Sequence, residues 1–203
     1  MDKMHLRKIF LLSLYIILFF LIGIKLFANH SIVYMWIDNL NNGVRNLRES
    51  YMPYFNHGYD DFIQFFPALL LLGLKLGGFK GKLDWKKLII FLFIATVFTQ
   101  VIVLILKLAC AEIRPDESDL LSFPSGHTAT AFMTATMLAL EYDCRSRWYS
   151  VVGYACAILV GMMRIMNNRH WLFDVIAGAA LGIVITDFAY RFTLRILNNK
   201  KNI

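Results

Sequence analysis

The feature that most constrains this chain is a series of apolar runs of bilayer-spanning length separated by basic loops. A spanning helix needs about 20 largely apolar residues. Ile9–Ala28, Leu88–Leu106 and Trp171–Tyr190 meet that length, and Phe62–Phe79 and Val151–Met166 come close. A sixth run, Ser125–Leu140, is interrupted by Thr128, Thr130, Thr134 and Thr136. Hydroxyls can bond back to their own helix or across to a neighbour, so a bundle interior tolerates them. The expected fold is therefore all-α: a polytopic membrane bundle of six spans in one domain covering residues 1–203. Composition agrees, with 58% hydrophobic and only 17% charged residues, against about a quarter charged in soluble domains.

A net charge of +7 raises the question of nucleic acid. The basic residues sit at the ends of the apolar runs, as membrane topology requires, and no aromatic-basic nucleic-acid module is present. No nucleic-acid partner is expected. The three cysteines, Cys110, Cys144 and Cys156, are far apart and form no CxxC pair, so neither a disulfide framework nor a cysteine-rich zinc site is expected.

Lys3, Arg7 and Lys8 precede the first run, as in a signal peptide. The run is long, however, and Phe27-Ala28-Asn29-His30 has no small-residue cleavage pattern, so it is read as a retained first span. With six spans both termini share a side. That side carries Lys3, Arg7, Lys8, Lys80, Lys82, Lys86, Lys87, Arg145, Arg147, Arg191, Arg195, Lys200 and Lys201. The positive-inside rule makes it cytoplasmic. Between the first two spans, Asn29–Asp61 mixes aromatic and polar residues and predicts an interfacial helix with a turn at Pro53. Gly77–Gly81 predicts a turn, because no P-loop pattern accompanies its glycines. Lys75 and Asp187 lie near the cytoplasmic ends and are expected to be interfacial.

The chemistry concentrates on the opposite side, in three groups at span ends: Lys107 with Arg114-Pro115; Pro124-Ser125-Gly126-His127; and Arg164 with His170 and Asp174. Two guanidinium forks and an ammonium suit a phosphoryl group, whose oxygens accept paired donors. Ser125-Gly126 opens a helix, where free N–H groups and the dipole favour an anion; Ser125 can cap that helix, contact a phosphate oxygen, or both. His127 is placed to give a proton to a leaving oxygen. His170 and Asp174, four apart, would share a helix face, letting the carboxylate fix the imidazole tautomer and free the other nitrogen to attack phosphorus. A rival reading has His127, His170 and Asp174 ligate a metal, but three nearby cations would repel a divalent ion. No metal and no other cofactor is expected.

The segments KLACAEIRP, PSGH and RIMNNRHWLFD resemble the three motifs of the type 2 phosphatidic acid phosphatase (PAP2) family, which shares its site with vanadium haloperoxidases. The resemblance covers Lys107 to Asp174. It implies that Lys107, Arg114, Ser125, Gly126 and Arg164 hold the phosphoryl oxygens. It further implies that His170 attacks to give a phosphohistidine, His127 protonates the leaving group and Asp174 orients His170. The family commonly has Ser before the third-motif Arg, where this chain has Met163.

The expected function is thus an integral-membrane lipid phosphatase at the outer face of a bacterial-type inner membrane. Its substrate would be a lipid phosphomonoester or diphosphate: an isoprenyl (undecaprenyl) diphosphate, phosphatidylglycerol phosphate, phosphatidic acid or lipid A phosphate. A phosphotransferase using the same site is the nearest alternative. An anion transporter is more distant, because the strongest charges cluster at one face, and a haloperoxidase is disfavoured.

Overall fold

The computed structural model describes residues 11–16, 18–19, 22–25 and 32–199. The described part of 11–25 is helical, and the rest forms seven helices: α1 (Ile32–Tyr51), α2 (Asp60–Ile63), α3 (Phe66–Leu76), α4 (Trp85–Cys110), α5 (Gly126–Tyr142), α6 (Trp148–Met166) and α7 (Leu172–Asn199). No strand occurs among the described residues.

The helix α5 is the axis of the bundle, with α3, α4, α6 and α7 packed around it. Of its 17 residues 13 are buried, which explains the threonines that weaken its apolar pattern. Each has an internal partner. Thr134 Oγ1 donates to Gln64 O at 2.8 Å, Thr136 Oγ1 to Phe132 O at 2.7 Å, and Gln100 Nε2 donates to Thr130 Oγ1 at 3.0 Å. A hydroxyl that would be costly against lipid is thereby satisfied inside protein.

Close approach of α7 to α5 depends on two glycines one turn apart. A Cβ on Gly178 would lie 2.5 Å from Ser125 O, and one on Gly182 would lie 2.4 Å from Ala129 O. Small residues at this spacing let two helix backbones touch, which in a membrane replaces the missing hydrophobic driving force. The contact also carries position: Ser125 N donates to Asp174 O at 3.0 Å, joining the starts of α5 and α7.

Among the described residues, three helices are long and apolar enough to cross a membrane: Trp85–Cys110, Trp148–Met166 and Leu172–Leu197. The other expected spans depart from the apolar runs. Phe62–Phe79 is divided into α2 and the 11-residue α3, with Pro67 in the first turn of α3 and Gly77 at its end. The helix α5 covers only about 25 Å at 1.5 Å per residue. Eight of the twenty residues of Ile9–Ala28, including both its ends, lie outside the described residues. The structure therefore supports a helical membrane bundle without confirming six spans. Between the N-terminal segment and α2, α1 is amphipathic and ends before a turn at Pro53-Tyr54.

Lys75 and Asp187, expected to be interfacial, are both engaged in ion pairs. Lys75 Nζ lies 3.1 Å from Glu141 Oε1, and Asp187 Oδ2 lies 2.5 Å from Arg191 Nε. Glu141 is fully buried; both its oxygens accept from Leu83 N, at 3.2 and 3.1 Å, and Lys75 also donates to Leu83 O. Lys82 N donates to Glu141 O at 3.2 Å. This latch ties the turn between α3 and α4 to the end of α5.

Candidate active site

The predicted residues gather at the other end of the bundle, where α4 and α6 finish and α5 and α7 begin. Lys107 occupies the last turn of α4, and its Nζ donates to Leu121 O and, at 3.3 Å, to Ser122 O. Arg114 lies in the connection from α4 to α5; its Nε donates to Asp119 Oδ1 at 2.7 Å. Partial desolvation pushes the Asp119 carboxyl up, but the Leu121 N–H and Arg114 outweigh it and hold the group below the usual carboxylate range.

Ser125 is buried and caps α5. Its Oγ accepts from Thr128 N at 3.4 Å and lies 2.9 Å from Thr128 Oγ1, so the capping reading of this residue is realised. A Cβ on Gly126 would stand 3.8 Å from Lys107 Cε, placing the first turn of α5 against the ammonium stem. His127 follows, and its Nε2 lies 2.7 Å from Asp61 Oδ1.

From α6, Arg164 reaches inward: Nη1 donates to Asp60 Oδ2 at 2.6 Å, while Nε is buried without a hydrogen-bond partner. Met163 beside it is buried at 5% exposure, so the position that departs from the family's Ser offers a thioether to the packing and no hydroxyl to the site.

His170 and Asp174 differ from the sequence expectation in one respect. The helix α7 begins at Leu172, so His170 precedes the helix and the pair does not share a helical face. The side chains still approach, with Nδ1 3.5 Å from Asp174 Oδ2, but no hydrogen bond forms and Nδ1 is buried without a partner. The reason is competition for one oxygen. Asp174 Oδ2 accepts from Ser122 Oγ at 2.6 Å and from Trp171 N at 2.9 Å, while Oδ1 is buried and unpartnered.

The charges of Lys107, Arg164 and Arg114 act on His170. Its imidazole, 3% exposed, is held well below the ordinary 6.5, first by burial and then by Lys107, Arg164, Arg114 and His127 in that order. A buried neutral imidazole beside fixed positive charges is an arrangement suited to attack on an anionic group.

Several residues that meet this group were not singled out by the motifs. Asp60 and Asp61 arrive on α2, Ser122 from the loop before α5, and Glu112 from the loop after α4. Glu112 is pushed up to about 7, by burial first and then by Asp174, against the opposing charge of Lys25, with which it pairs. Among the described residues, the set whose donor atoms could hold an ion is Asp60, Asp61 and His127, within 4.8 Å of one another. It shares only His127 with the trio considered from sequence, and Arg164 already occupies Asp60.

Residues 88–197 match the PAP2 superfamily. Over 153 residues, 75% of this chain and 34% of the relative, the sequence is 39% identical to a lipid A 1-phosphatase of Porphyromonas gingivalis. The chain spans less than half the length of the lipid A 1-phosphatases that it matches. The fold is similar to the crystal structure of a transmembrane PAP2-type phosphatidylglycerolphosphate phosphatase from Bacillus subtilis. That likeness has a TM-score of 0.61 at 21% identity and covers 92% of this chain and 96% of the other. Similarity to Aquifex aeolicus LpxE is weaker, with a TM-score of 0.50 at 24% identity, covering 84% and 93%. The helical bundle, the three motifs at one end of it and these matches together establish that the chain belongs to the PAP2 superfamily, the phosphatase family its motifs resemble.

Proposed function

We propose that this chain is a membrane lipid phosphatase that removes a phosphoryl group through a phosphohistidine on His170. The observation that carries the reading is the buried imidazole of His170, kept neutral by burial and by Lys107, Arg164 and Arg114. Those three cations, with Ser125 and the N–H groups at the start of α5 around Gly126, hold the phosphoryl oxygens and stabilise the charge that develops on them. Nε2 of His170 forms the P–N bond as the bond to the leaving oxygen breaks, and His127 gives that oxygen its proton. Water then breaks the P–N bond and releases phosphate. Asp174 orients the turn that carries His170, acting through Trp171 N and Ser122. The reaction runs without a metal.

The substrate class is a lipid phosphomonoester or diphosphate, and a lipid A 1-phosphate is the first candidate, given the likeness to lipid A 1-phosphatases. A recess beside the site, lined in part by Arg48, Tyr54, Asn56, Asn167 and Arg169, offers hydrogen-bonding room for a hydroxylated headgroup. The site faces the outer side of the inner membrane, with both termini cytoplasmic.

The test is phosphate release by the purified protein in nanodiscs with EDTA present, across lipid A 1-phosphate, phosphatidic acid, phosphatidylglycerol phosphate and undecaprenyl diphosphate. Release from at least one lipid, inhibition by vanadate and an acid-labile phosphoenzyme are expected. Substituting His170→Ala is expected to lower turnover by about a thousandfold or more. Turnover that survives in that variant would remove His170 as nucleophile. Appearance of the label on a second lipid instead of in free phosphate would turn the reading to a phosphotransferase.

A further inference from the structure

We propose that Asp61 is the positioning residue of the leaving-group acid, holding the His127 ring by its Nε2–H so that Nδ1 carries the proton to the departing oxygen. The inference rests on the phosphatase reading and deepens it.

The observation behind it is an asymmetry between the two histidines. His170 has a carboxylate nearby but no hydrogen bond to it, since Asp174 is engaged by Ser122 and Trp171. His127, which no motif pairs with an acid, has Asp61 Oδ1 at 2.7 Å from its Nε2. A carboxylate is thus hydrogen-bonded directly to the ring of the proton donor, whereas Asp174 acts on the turn that carries the nucleophile. This division is chemically sensible. A carboxylate bonded to the Nε2–H fixes the tautomer and orientation of the ring and leaves Nδ1 to face the leaving oxygen.

The charges facing His127 are Asp61 and Asp60 from α2, Arg164 from α6 and the imidazole of His170. Asp60 is neutralised by Arg164 at 2.6 Å and also accepts from Asn167 Nδ2 at 3.2 Å. Asp61 is thus the carboxylate left for His127. Its side chain is 58% exposed, and a carboxylate so exposed would ordinarily move freely. Here the backbone beneath it is anchored. Asn167 exchanges two hydrogen bonds with His57, at 2.9 and 2.8 Å, Gln64 Nε2 donates to Asp61 O at 2.9 Å, and Thr134 of α5 donates to Gln64 O at 2.8 Å. The short helix is fastened to both α5 and α6, the elements that carry the acid and one of the cations.

In the step, the bond from phosphorus to the leaving oxygen breaks as the bond to His170 forms. The Nδ1 proton of His127 passes to that oxygen, and His127 is left neutral with its Nε2–H still on Asp61. Loss of Asp61 should therefore be felt in proportion to how much the leaving group needs a proton.

The experiment compares kcat/KM for an alkyl phosphomonoester lipid, whose alkoxide must be protonated, with p-nitrophenyl phosphate, whose leaving group departs as an anion. For Asp61→Asn the ratio of alkyl to aryl kcat/KM should fall about tenfold to a hundredfold, within the usual contribution of general acid catalysis. Asp61→Glu should recover part of it. In a His127→Ala background, Asp61→Asn should lower the ratio no further, because the two residues act as one unit. Equal loss on both substrates, an unchanged ratio, or full additivity with His127→Ala would overturn the proposal. Absence of wild-type activity on lipid and aryl phosphates alike would instead overturn the phosphatase reading on which it stands.

Discussion

The two ends of this bundle treat buried charge in opposite ways. At the end where α5 finishes, Glu141 is buried and saturated: Lys75 and the Leu83 N–H meet its side-chain oxygens, Lys82 N donates to Glu141 O at 3.2 Å, and Tyr142 Oη donates to Phe79 O at 3.0 Å. At the end where α5 begins, buried polar atoms are left without partners: Nδ1 of His170, Nε of Arg164, Oδ1 of Asp174 and Oε2 of Glu112. Unpaired buried groups cost free energy, so a fold keeps them only where something else is gained. One end is closed by its own pairs, and the other keeps unpartnered polar atoms beside the cations that are proposed to hold a phosphoryl group. The same helix serves both because its dipole and free N–H groups favour negative charge only where it starts.

The largest effect that should separate the two ends is a loss of stability. Replacing Glu141 with Ala leaves Lys75 buried without its counter-ion and frees the Leu83 N–H. A loss of about 3 kcal/mol is expected, since removing one partner of a buried pair costs far more than the pair contributes. Thermal unfolding in detergent measures it, and the protein that stays folded should keep its kcat. A drop in kcat without a drop in stability would mean that the latch communicates with the site.

A smaller effect is expected at the catalytic end. Substituting Ser122→Ala removes the 2.6 Å bond to Asp174 Oδ2 and should lower kcat about tenfold, with about 1 kcal/mol of stability lost, as for a single buried hydrogen bond. If stability falls by several kcal/mol with kcat unchanged, the two ends are built on the same terms after all.

The finest distinction is in pH. His170 is held well below 6.5, so its neutral, attacking form persists as pH falls through the ordinary imidazole range. The acid limb of kcat/KM should therefore have its midpoint below 6.5. The stability contribution has the same sign. The neutral imidazole is accommodated fully above the unfolded value, and stability is lost as pH falls from there toward the depressed folded value. An acid limb at or above 6.5 would show that the surrounding cations do not act on this ring.

Much of this was legible beforehand, for identifiable reasons. The helical class followed from long apolar runs, because a backbone in hydrocarbon has to satisfy its own hydrogen bonds. The grouping of Lys107, Arg114, Ser125, Gly126, His127, Arg164, His170 and Asp174 at one end followed from their positions at span ends. Helix bounds were less legible. The run over Phe62–Phe79 reads as continuous by hydropathy, yet Pro67 and the residues before it break the helix there. The His170–Asp174 spacing suggested a shared face, yet the Trp171 N–H takes the carboxylate, and the helix begins one residue later.

The sequence by itself determined a membrane bundle with cations and imidazoles collected at one face, because both the spacing of apolar runs and the spacing within each motif are local. Only the tertiary structure decided which carboxylates meet those groups. Asp60 is 104 residues from Arg164, and Asp61 is 66 from His127, and nothing in their neighbourhoods on the chain marks either as a partner. Packing of α2 against α5 and α6 supplies them, and packing of Gly178 and Gly182 against α5 sets the distance between the start of α7 and the first turn of α5. Local pattern is enough to place charge at a boundary; the pairing of charges depends on contacts that only the folded chain creates.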